Sequence, residues 1–430
     1  MNLTGKKLLV LGGTDASLDI VKQAKKLGIY VIVTDEKPAS ERISKQIADE
    51  FRMVSTTDFD GLEKLIQKEH IDGVFCGPSE FNIGNMIKLC ERTGLRCYCT
   101  SSQWETCSNK AKFKEMCRKY DVPCVPEFHL TEEMRREDLD RIKYPVVIKP
   151  VDASSSAGLF VCWNEEELCS VVPKSVAASK SGKIIVEKCI TSDYGFGCRY
   201  IAADGEIFLS AVNDRYTVDT ADEKALISSA AFFPSKKTDE FIEKINPHII
   251  QMFKDLKIKN GTMFMQGLVD QDEDQIYFHE MGLRLSGGLI FSMLEASCGY
   301  NDLYMMLRYA LGGPMATSEE ISKIDPYMHG HFIGSLTIPL KAETIGRISG
   351  VNEIKRNPAI LDFVQYYHEG DTLEEKSIGT LAQHFCRIKL ITDSEEEYRN
   401  MVNWIQSVIK IEDINGNNMI YRLFDTNRMK

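Results

Sequence analysis

The sequence lacks three features that would point to whole classes of protein. It has no excess of positive charge, since 52 Lys and Arg against 63 Asp and Glu give a net charge of -11, which argues against a nucleic-acid partner. It has no long apolar run at its start, because Leu8 to Leu11 ends at two glycines and is too short for a signal peptide or a membrane span. Its 13 cysteines include no Cys-x-x-Cys pair, so we expect no disulfide framework and a reducing cytoplasm.

The first hundred residues alternate between strand and helix patterns. Leu8 to Leu11 predicts a strand, an amphipathic helix follows it, and Tyr30 to Thr34 predicts a second strand that ends at Asp35. Further strand patterns lie near Met53 and near Val74. This βαβ order predicts a doubly wound parallel sheet, which we assign to residues 1–102.

A dinucleotide site in this first domain is one alternative function. Gly12 and Asp35 stand where such a fingerprint has its first glycine and its ribose-binding acid. Thr14 and Ser17 occupy the other two glycine positions, and their side chains would hinder a pyrophosphate. The pattern therefore favours a scaffold domain over NAD binding and a hydride-transfer enzyme.

A lysine followed by a loop of small residues comes later in the chain. The run Val146 to Ile148 predicts a short buried strand with Lys149 at its end. The loop that follows, 154–158, offers hydroxyls and backbone N–H groups, which suit phosphate oxygens. An ordinary turn is the alternative interpretation.

A lysine also stands at the start of a predicted helix. Ser108 is a candidate N-cap, and Lys110 lies in the first turn, where the helix dipole disfavours a cation. Such a lysine either binds a ligand or is simply solvated. We also predict helices near 131–142, over 239–257 and over 290–311.

A predicted hairpin over 261–281 carries two oxygen ligands. If its turn centres on residue 273, Gln266 pairs with Glu280 on the neighbouring strand. Two such oxygens suit a hydrated Mg²⁺ whose coordination shell is completed by phosphate oxygens. A polar cross-strand pair without a metal is the alternative interpretation. Arg284 follows in a glycine-rich turn, where it could hold anionic oxygens bidentately, and Arg215 is a candidate clamp for a substrate carboxylate.

These motifs, in this order, resemble the ATP-grasp superfamily, and most closely its carboxylate-amine ligases, such as the carbamoyl-phosphate synthase large chain, purine-biosynthetic ligases and L-amino acid ligases. The resemblance implies a mixed α/β and α+β chain. It comprises an N-terminal Rossmann-like domain (1–102), an ATP-grasp domain of two subdomains with the nucleotide between them (103–330), and a small C-terminal α+β domain (331–430).

The resemblance also implies roles for individual residues. Lys110 and Lys149 would hold ATP phosphates, Gln266 and Glu280 would bind the metal, and Arg284 would steady the acyl-phosphate. The remaining nucleotide-binding positions that it implies are Ser154, Ser155, Ser156, Ala157 and Gly158 in the closing loop, Glu187, Lys188 and Ile190 beside adenine, and Asp193 and Leu268. Members usually carry an asparagine at the position of Gly282, and the ribose-binding acid falls at Tyr194, so neighbouring Asp193 would replace it.

The implied activity is that of an ATP-dependent ligase, which activates a carboxylate as an acyl-phosphate and joins it to an amine. ATP and Mg²⁺, or Mn²⁺ in its place, are the implied cofactors, and a small carboxylate and an amine are the implied partners. We expect no membrane partner, and homodimers are common at this size. The alternative is a regulatory or scaffold module that binds ATP without turnover.

Overall fold

The structure, a computed structural model, describes residues 1–131, 133–153, 157–192, 194–218 and 227–429. Of the residues singled out above, Ser154, Ser155, Ser156 and Asp193 lie outside the described residues.

The N-terminal part is a parallel sheet flanked by helices. Its elements are β1 (Lys7–Leu11), α1 (Leu18–Lys26), β2 (Tyr30–Thr34), α2 (Ile43–Ile47), β3 (Glu50–Arg52), α3 (Phe59–Glu69), β4 (Gly73–Cys76) and α4 (Glu80–Thr93), followed by α5 (Ser101–Ser108) and α6 (Lys110–Lys119). The strands lie in the order β3-β2-β1-β4, and every pairing in this sheet is parallel. The predicted Rossmann-like sheet is confirmed, with β3 three residues earlier than the predicted strand.

A small antiparallel sheet forms the next part. Its elements are β5 (Glu127–Phe128), α7 (Arg136–Leu139), β6 (Val146–Pro150), β7 (Phe160–Cys162), α8 (Glu165–Ala178) and β8 (Ile184–Lys188). The strand order is β5-β8-β6-β7. Val146, Ile148 and Val186 are buried with α8 in an apolar cluster of their own, which fixes the strand that carries Lys149.

A large antiparallel sheet forms the following part. The elements up to residue 322 are β9 (Tyr194–Ala203), β10 (Glu206–Val218), β11 (Ile227–Phe233), α9 (Thr238–Lys244), α10 (Asn246–Asp255), β12 (Gly261–Asp270), β13 (Gln275–Gly282), α11 (Phe291–Cys298), α12 (Asp302–Ala310) and α13 (Ser318–Ser322). The predicted hairpin over 261–281 is present as β12 with β13, and β9 pairs with β10 in a second hairpin.

The last hundred residues extend this large sheet. They contain β14 (Phe332–Pro339), β15 (Ile345–Ser349), α14 (Val351–Arg356), β16 (Ile360–Gln365), β17 (His384–Thr392), α15 (Glu395–Val408) and β18 (Lys410–Asp413). Among the described residues, the sheet order is β13-β12-β9-β10-β11-β14-β17-β16. Strands on both sides of residue 330 therefore share one sheet, and the three-domain division stays a prediction.

Several predicted helix bounds are wrong. The helix predicted over 239–257 is two helices, because Pro247 begins a new one at its first turn. The helix predicted over 290–311 also divides, at Gly299, which has a left-handed backbone (φ 73°). The helix predicted over 131–142 is reduced to α7, since the Asp138 carboxylate accepts the Thr131 N–H (3.1 Å) and turns the segment.

Candidate active site

A buried charge cluster forms the side of the site that the small sheet provides. The Lys149 ammonium on β6 lies 2.5 Å from the Glu187 carboxylate on β8, and the two side chains are 9% and 3% exposed. The other oxygen of Glu187 lies 2.5 Å from the Lys114 ammonium, which also donates to the Val125 carbonyl (2.6 Å). One carboxylate thus fixes two ammonium groups in the wall of the site.

Lys114 was missed by the sequence reasoning. It lies four residues after Lys110 on α6, so the two lysines share one face of the helix. That spacing was the available signal. The residue that caps α6 is Asn109 and not Ser108, because the Asn109 Oδ1 accepts the backbone N–H groups of Ala111 (3.0 Å) and Lys112 (3.2 Å).

Lys110 connects the small sheet to the metal-ligand pair. Its ammonium donates to the Ala153 carbonyl (2.5 Å), directly before the Ser-rich loop. Burial lowers the pKa of Lys110, repulsion from Lys149 lowers it further, and the carboxylates of Glu280 and Glu80 oppose both effects. Lys110, Lys149 and Glu280 therefore converge on one region.

The predicted cross-strand pairing of Gln266 and Glu280 is confirmed, and their role as metal ligands stays a prediction. Gln266 on β12 lies directly opposite Glu280 on β13. Arg215 on β10 donates to the Gln266 side-chain oxygen (3.2 Å), and Glu280 acts electrostatically on Arg215. Arg215 therefore lies beside the metal-ligand pair, and its predicted role as a carboxylate clamp stays a prediction.

A β-bulge beside this pair brings in a residue that the sequence reasoning missed. The register passes from Gln266 opposite Glu280 to Gly267 opposite Phe278, so His279 is an extra residue on β13. The bulge separates buried Phe278, in the core, from Glu280, in the site. Burial, with the nearby Lys149, Arg215 and Lys110, lowers the pKa of His279 well below its usual value, so the imidazole is neutral.

Arg284 is held between the N-terminal part and the large sheet. It donates to Glu80 (3.1 Å) at the start of α4 and to the Leu285 carbonyl (2.9 Å), and its guanidinium lies 4.7 Å from the centre of the Phe264 ring. The same ring fills the space beside Gly282, where an added Cβ would lie 2.4 Å from a ring carbon. The space that the asparagine implied by the resemblance would need is thus occupied by an aromatic ring.

These donors fit a divalent cation that also binds phosphates. Gln266 and Glu280 supply two side-chain oxygens on adjacent strands, and the Phe264 ring excludes a third oxygen from position 282. In the part of the chain that the structure describes, no group of three His, Cys, Asp or Glu side chains could hold a metal alone. A cation here would therefore complete its shell with water or with oxygen atoms of its substrates.

The residues predicted to lie beside adenine differ in how far their side chains are engaged inside the protein. The Lys188 ammonium lies 2.7 Å from both Asp270 and Glu273, so its side chain fastens β8 to the tip of the β12–β13 hairpin, and these carboxylates raise its pKa. Ile190 is buried and Leu268 on β12 is half-buried, while Gly158 (φ 71°) packs closely against Pro150. Nucleotide contacts by these residues and by Ala157 stay predictions.

Tyr194, at the expected place of the ribose-binding acid, has a structural role. Its hydroxyl donates to the Asp214 carboxylate (2.9 Å), and its ring stacks on Tyr216 with centroids 5.3 Å apart. The hydroxyl is therefore already used inside the protein.

The carboxylate of the alternative dinucleotide site is also engaged. Asp35 accepts the backbone N–H groups of Gly13 (3.1 Å) and Lys37 (2.9 Å), and it lies 3.0 Å from the Arg42 guanidinium. Burial alone would raise the pKa of Asp35, but these partners lower it below its usual value. Its oxygens therefore hold the Gly12–Gly13 turn in shape.

Two facing sheets, two lysines, a cross-strand pair of side-chain oxygens and a following arginine form the arrangement that the sequence resemblance to the ATP-grasp superfamily implies. Residues 109–318 match the family described as "Carbamoyl-phosphate synthase L chain, ATP binding domain". No helix among the described residues is long and apolar enough to span a lipid bilayer.

Relatives and solved structures agree with this assignment. The chain is 27% identical over 343 residues to a formate-dependent phosphoribosylglycinamide formyltransferase of Sulfurisphaera tokodaii, covering 75% of this chain and 79% of the relative. It spans only 17–25% of the length of several carbamoyl phosphate synthase large chains.

Two solved structures share the fold over 95% of this chain. An L-amino acid ligase from Bacillus licheniformis has a TM-score of 0.77 at 19% identity, with 99% of that chain covered. The biotin carboxylase domain of the Hydrogenobacter thermophilus 2-oxoglutarate carboxylase, solved with MgADP, ADP and bicarbonate, has a TM-score of 0.76 at 18% identity, with 91% covered. The predicted fold class is confirmed.

Proposed function

We propose that this protein is an ADP-forming ligase that phosphorylates a carboxylate with ATP and joins the resulting acyl group to an amine. The observation that carries the proposal is that the Lys110 ammonium on α6, hydrogen-bonded to the Ala153 carbonyl just after β6, lies within electrostatic range of Lys149 on β6 and Glu280 on β13. A solved neighbour named as an L-amino acid ligase, and another solved with MgADP, support the same chemistry.

The proposed roles follow from where each side chain lies. Lys110 and Lys149 bind the phosphates of ATP, and Gln266 with Glu280 binds Mg²⁺. Glu187 neutralises part of the charge on Lys149, which holds that ammonium in position before ATP arrives. A bound Mg²⁺ would neutralise phosphate charge.

The reaction needs positioning and charge neutralisation more than covalent catalysis by the protein. A carboxylate oxygen of the acid attacks the γ-phosphorus, the bond to the bridging oxygen breaks, and ADP leaves. The amine nitrogen then attacks the acyl carbon, the bond from that carbon to the phosphate oxygen breaks, and the amine loses a proton to solvent. Arg284, fixed by Glu80 and Phe264, lies where it can offset the negative charge that gathers in the first step.

The test is acid-dependent release of ADP. Purified full-length protein is incubated with ATP, Mg²⁺ and pools of acids and amines, and ADP is measured with and without each pool. Lys149→Met should reduce ADP release by roughly a hundredfold or more, because it removes a charge next to the phosphates. Lys112→Met is the matched control, since Lys112 is half-buried on the helix of Lys110 and pairs with Glu105. Equal rates for the two variants would contradict the proposal.

A module that binds ATP without turnover is the second candidate. The Phe264 ring beside Gly282 and the engaged hydroxyl of Tyr194 favour it, because both remove ligands that relatives supply. Binding of MgADP by calorimetry without ADP release in any pool would support this candidate over the ligase.

Three further expectations belong to the proposal. A homodimer is expected, and one solved neighbour was crystallised as a dimer; light scattering tests this. A cytoplasmic location is expected from the 13 cysteines, all of which are free thiols. The domain bounds 1–102, 103–330 and 331–430 can be tested by limited proteolysis, which should release stable fragments that end near these bounds.

A further inference from the structure

Arg199 lies on the site face of the large sheet, next to the metal-ligand pair. On β9, Gly197 lies opposite Gln266, and Arg199, two residues further along, lies opposite Phe264. Because side chains alternate along a strand, Arg199 projects from the same face as Gln266. Its cross-strand partner Phe264 is the residue whose ring supports Arg284.

The guanidinium of Arg199 is fixed by neutral groups. It donates to the Asn213 side-chain oxygen (2.6 Å) and to the Ser286 hydroxyl (3.3 Å), and it lies 5.0 Å from the centre of the Phe233 ring. Ser286 is in the glycine-rich turn that begins after Arg284, so Arg199 reaches the loop that borders the acyl-phosphate position.

No carboxylate of the described residues lies within 4.0 Å of Arg199. The acid that acts on it most is Asp302, which remains beyond ion-pair distance. Burial lowers the pKa of Arg199 to about 10. A half-buried guanidinium without a counter-ion is costly for a folded chain, and such groups commonly serve as anion-binding sites.

The three arginines of this face differ in whether an acidic side chain neutralises their charge. Arg284 pairs with Glu80 at 3.1 Å, but Arg215 has only the Gln266 amide within hydrogen-bond distance among the described residues, and Arg199 has no acid. Arg215 also lowers the pKa of Arg199, so the two positive charges are close. Of the three guanidinium groups, Arg284 is thus paired with Glu80 and Arg215 is acted on by Glu280, while Arg199 has no acid within ion-pair distance among the described residues.

Two glycines of β9 leave space for side chains of the neighbouring strand β10. A Cβ at Gly197 would lie 2.6 Å from the Asn213 oxygen that accepts from Arg199, and a Cβ at Gly195 would lie 3.1 Å from Arg215. Glycine at both positions leaves space over β9 for two side chains of β10. One is Asn213, which orients the Arg199 guanidinium, and the other is Arg215 itself.

We propose that Arg199, positioned by Asn213 and Ser286, binds a second anionic group on the acid substrate, so that the substrate class is a short-chain acid with two anionic groups. The inference rests on the proposed ligase function. One carboxylate is phosphorylated beside Arg284, and the other anionic group, a carboxylate or a phosphate, pairs with Arg199.

The first test compares acids of equal length with the unmodified full-length protein. ADP release is measured with succinate against butyrate, with glutarate against pentanoate, and with 3-phosphonopropionate, at fixed ATP, Mg²⁺ and a pooled amine supply. The diacids should have a kcat/KM roughly ten- to a hundredfold above that of the matched monoacids, which is the usual range for one charge-assisted hydrogen-bonded pair. A higher value for the phosphonate would identify the second group as phosphate-like.

The second test uses variants of Arg199. Arg199→Gln should raise the KM for the preferred diacid by the same factor while KM for butyrate and ATP changes less than twofold, and Arg199→Lys should recover part of the loss. Arg347→Gln, at an exposed position on β15, is the matched control.

The outcomes separate this inference from the proposed function. Acid-dependent ADP release without preference for diacids would overturn the subsite and leave the ligase standing, as would an equal loss for all acids in Arg199→Gln. Nucleotide binding without ADP release for any acid would overturn the ligase itself, and the subsite with it.

Discussion

Gly282 and Phe264 should behave as one unit, and substituting Gly282 tests this. A methyl group at position 282 would lie 2.4 and 2.5 Å from two carbons of the Phe264 ring, about 1 Å closer than carbon atoms pack. The ring cannot easily move away, because it is 3% exposed and Arg284 lies over its face. Overpacking of this kind costs about 1–3 kcal/mol. Gly282→Ala should therefore lower stability by that amount and displace Arg284.

A double-mutant cycle isolates this contact. Phe264→Ala alone should cost about 3–5 kcal/mol, since it leaves a cavity. In that background Gly282→Ala should cost little, so the pair should be more stable than the sum of the single changes predicts, by about 1–3 kcal/mol. Urea unfolding of the four proteins measures the coupling, and ADP release reports on Arg284. Additive costs would refute the claim that the ring fills the space beside position 282.

Three other changes test separate contacts. Lys114→Met should cost about 3 kcal/mol in urea unfolding, because Glu187 stays buried with one cation fewer. Tyr194→Phe should cost about 1 kcal/mol by removing the donor to Asp214, and MgADP affinity by calorimetry should stay within twofold, since the hydroxyl is already engaged by Asp214. Burial lowers the pKa of His384 to about 4, below its usual 6.5, so stability is complete above pH 6.5 and falls toward pH 4 as the unfolded chain binds the proton. Wild type should thus lose about 2 kcal/mol more than His384→Gln between pH 7 and 5, and equal losses would contradict this.

Local patterns were enough to predict much of the fold and the pairing in the site. Hydrophobic alternation and a short acidic turn predict Gln266 opposite Glu280, and the structure agrees. The same symmetry fails between that pair and the turn, where Gly267 lies opposite Phe278, because a bulge at His279 shifts the register by one residue. A bulge has no simple sequence signal, so the entry of a neutral imidazole into the site could not be predicted.

Partners distant in sequence account for most of what was missed. Glu80 and Arg284 are 204 residues apart, and nothing in either segment indicates their contact. Lys188 is a second case: its predicted nucleotide contact stays a prediction, and the ion pairs of its ammonium with Asp270 and Glu273 could not be seen in its motif. Which groups a charged side chain already satisfies depends on tertiary packing, and a local pattern does not contain that information.

The continuity of the large sheet past residue 330 limits how the chain can be shortened. β11 pairs on one side with β10 and on the other with β14, and Phe232 and Phe233 are buried there. Expression of a fragment that stops near 330 would leave the backbone of β11 unsatisfied along an apolar edge, which is a template for strand addition by other molecules. Inclusion bodies or higher-order aggregates are the expected product of such a fragment.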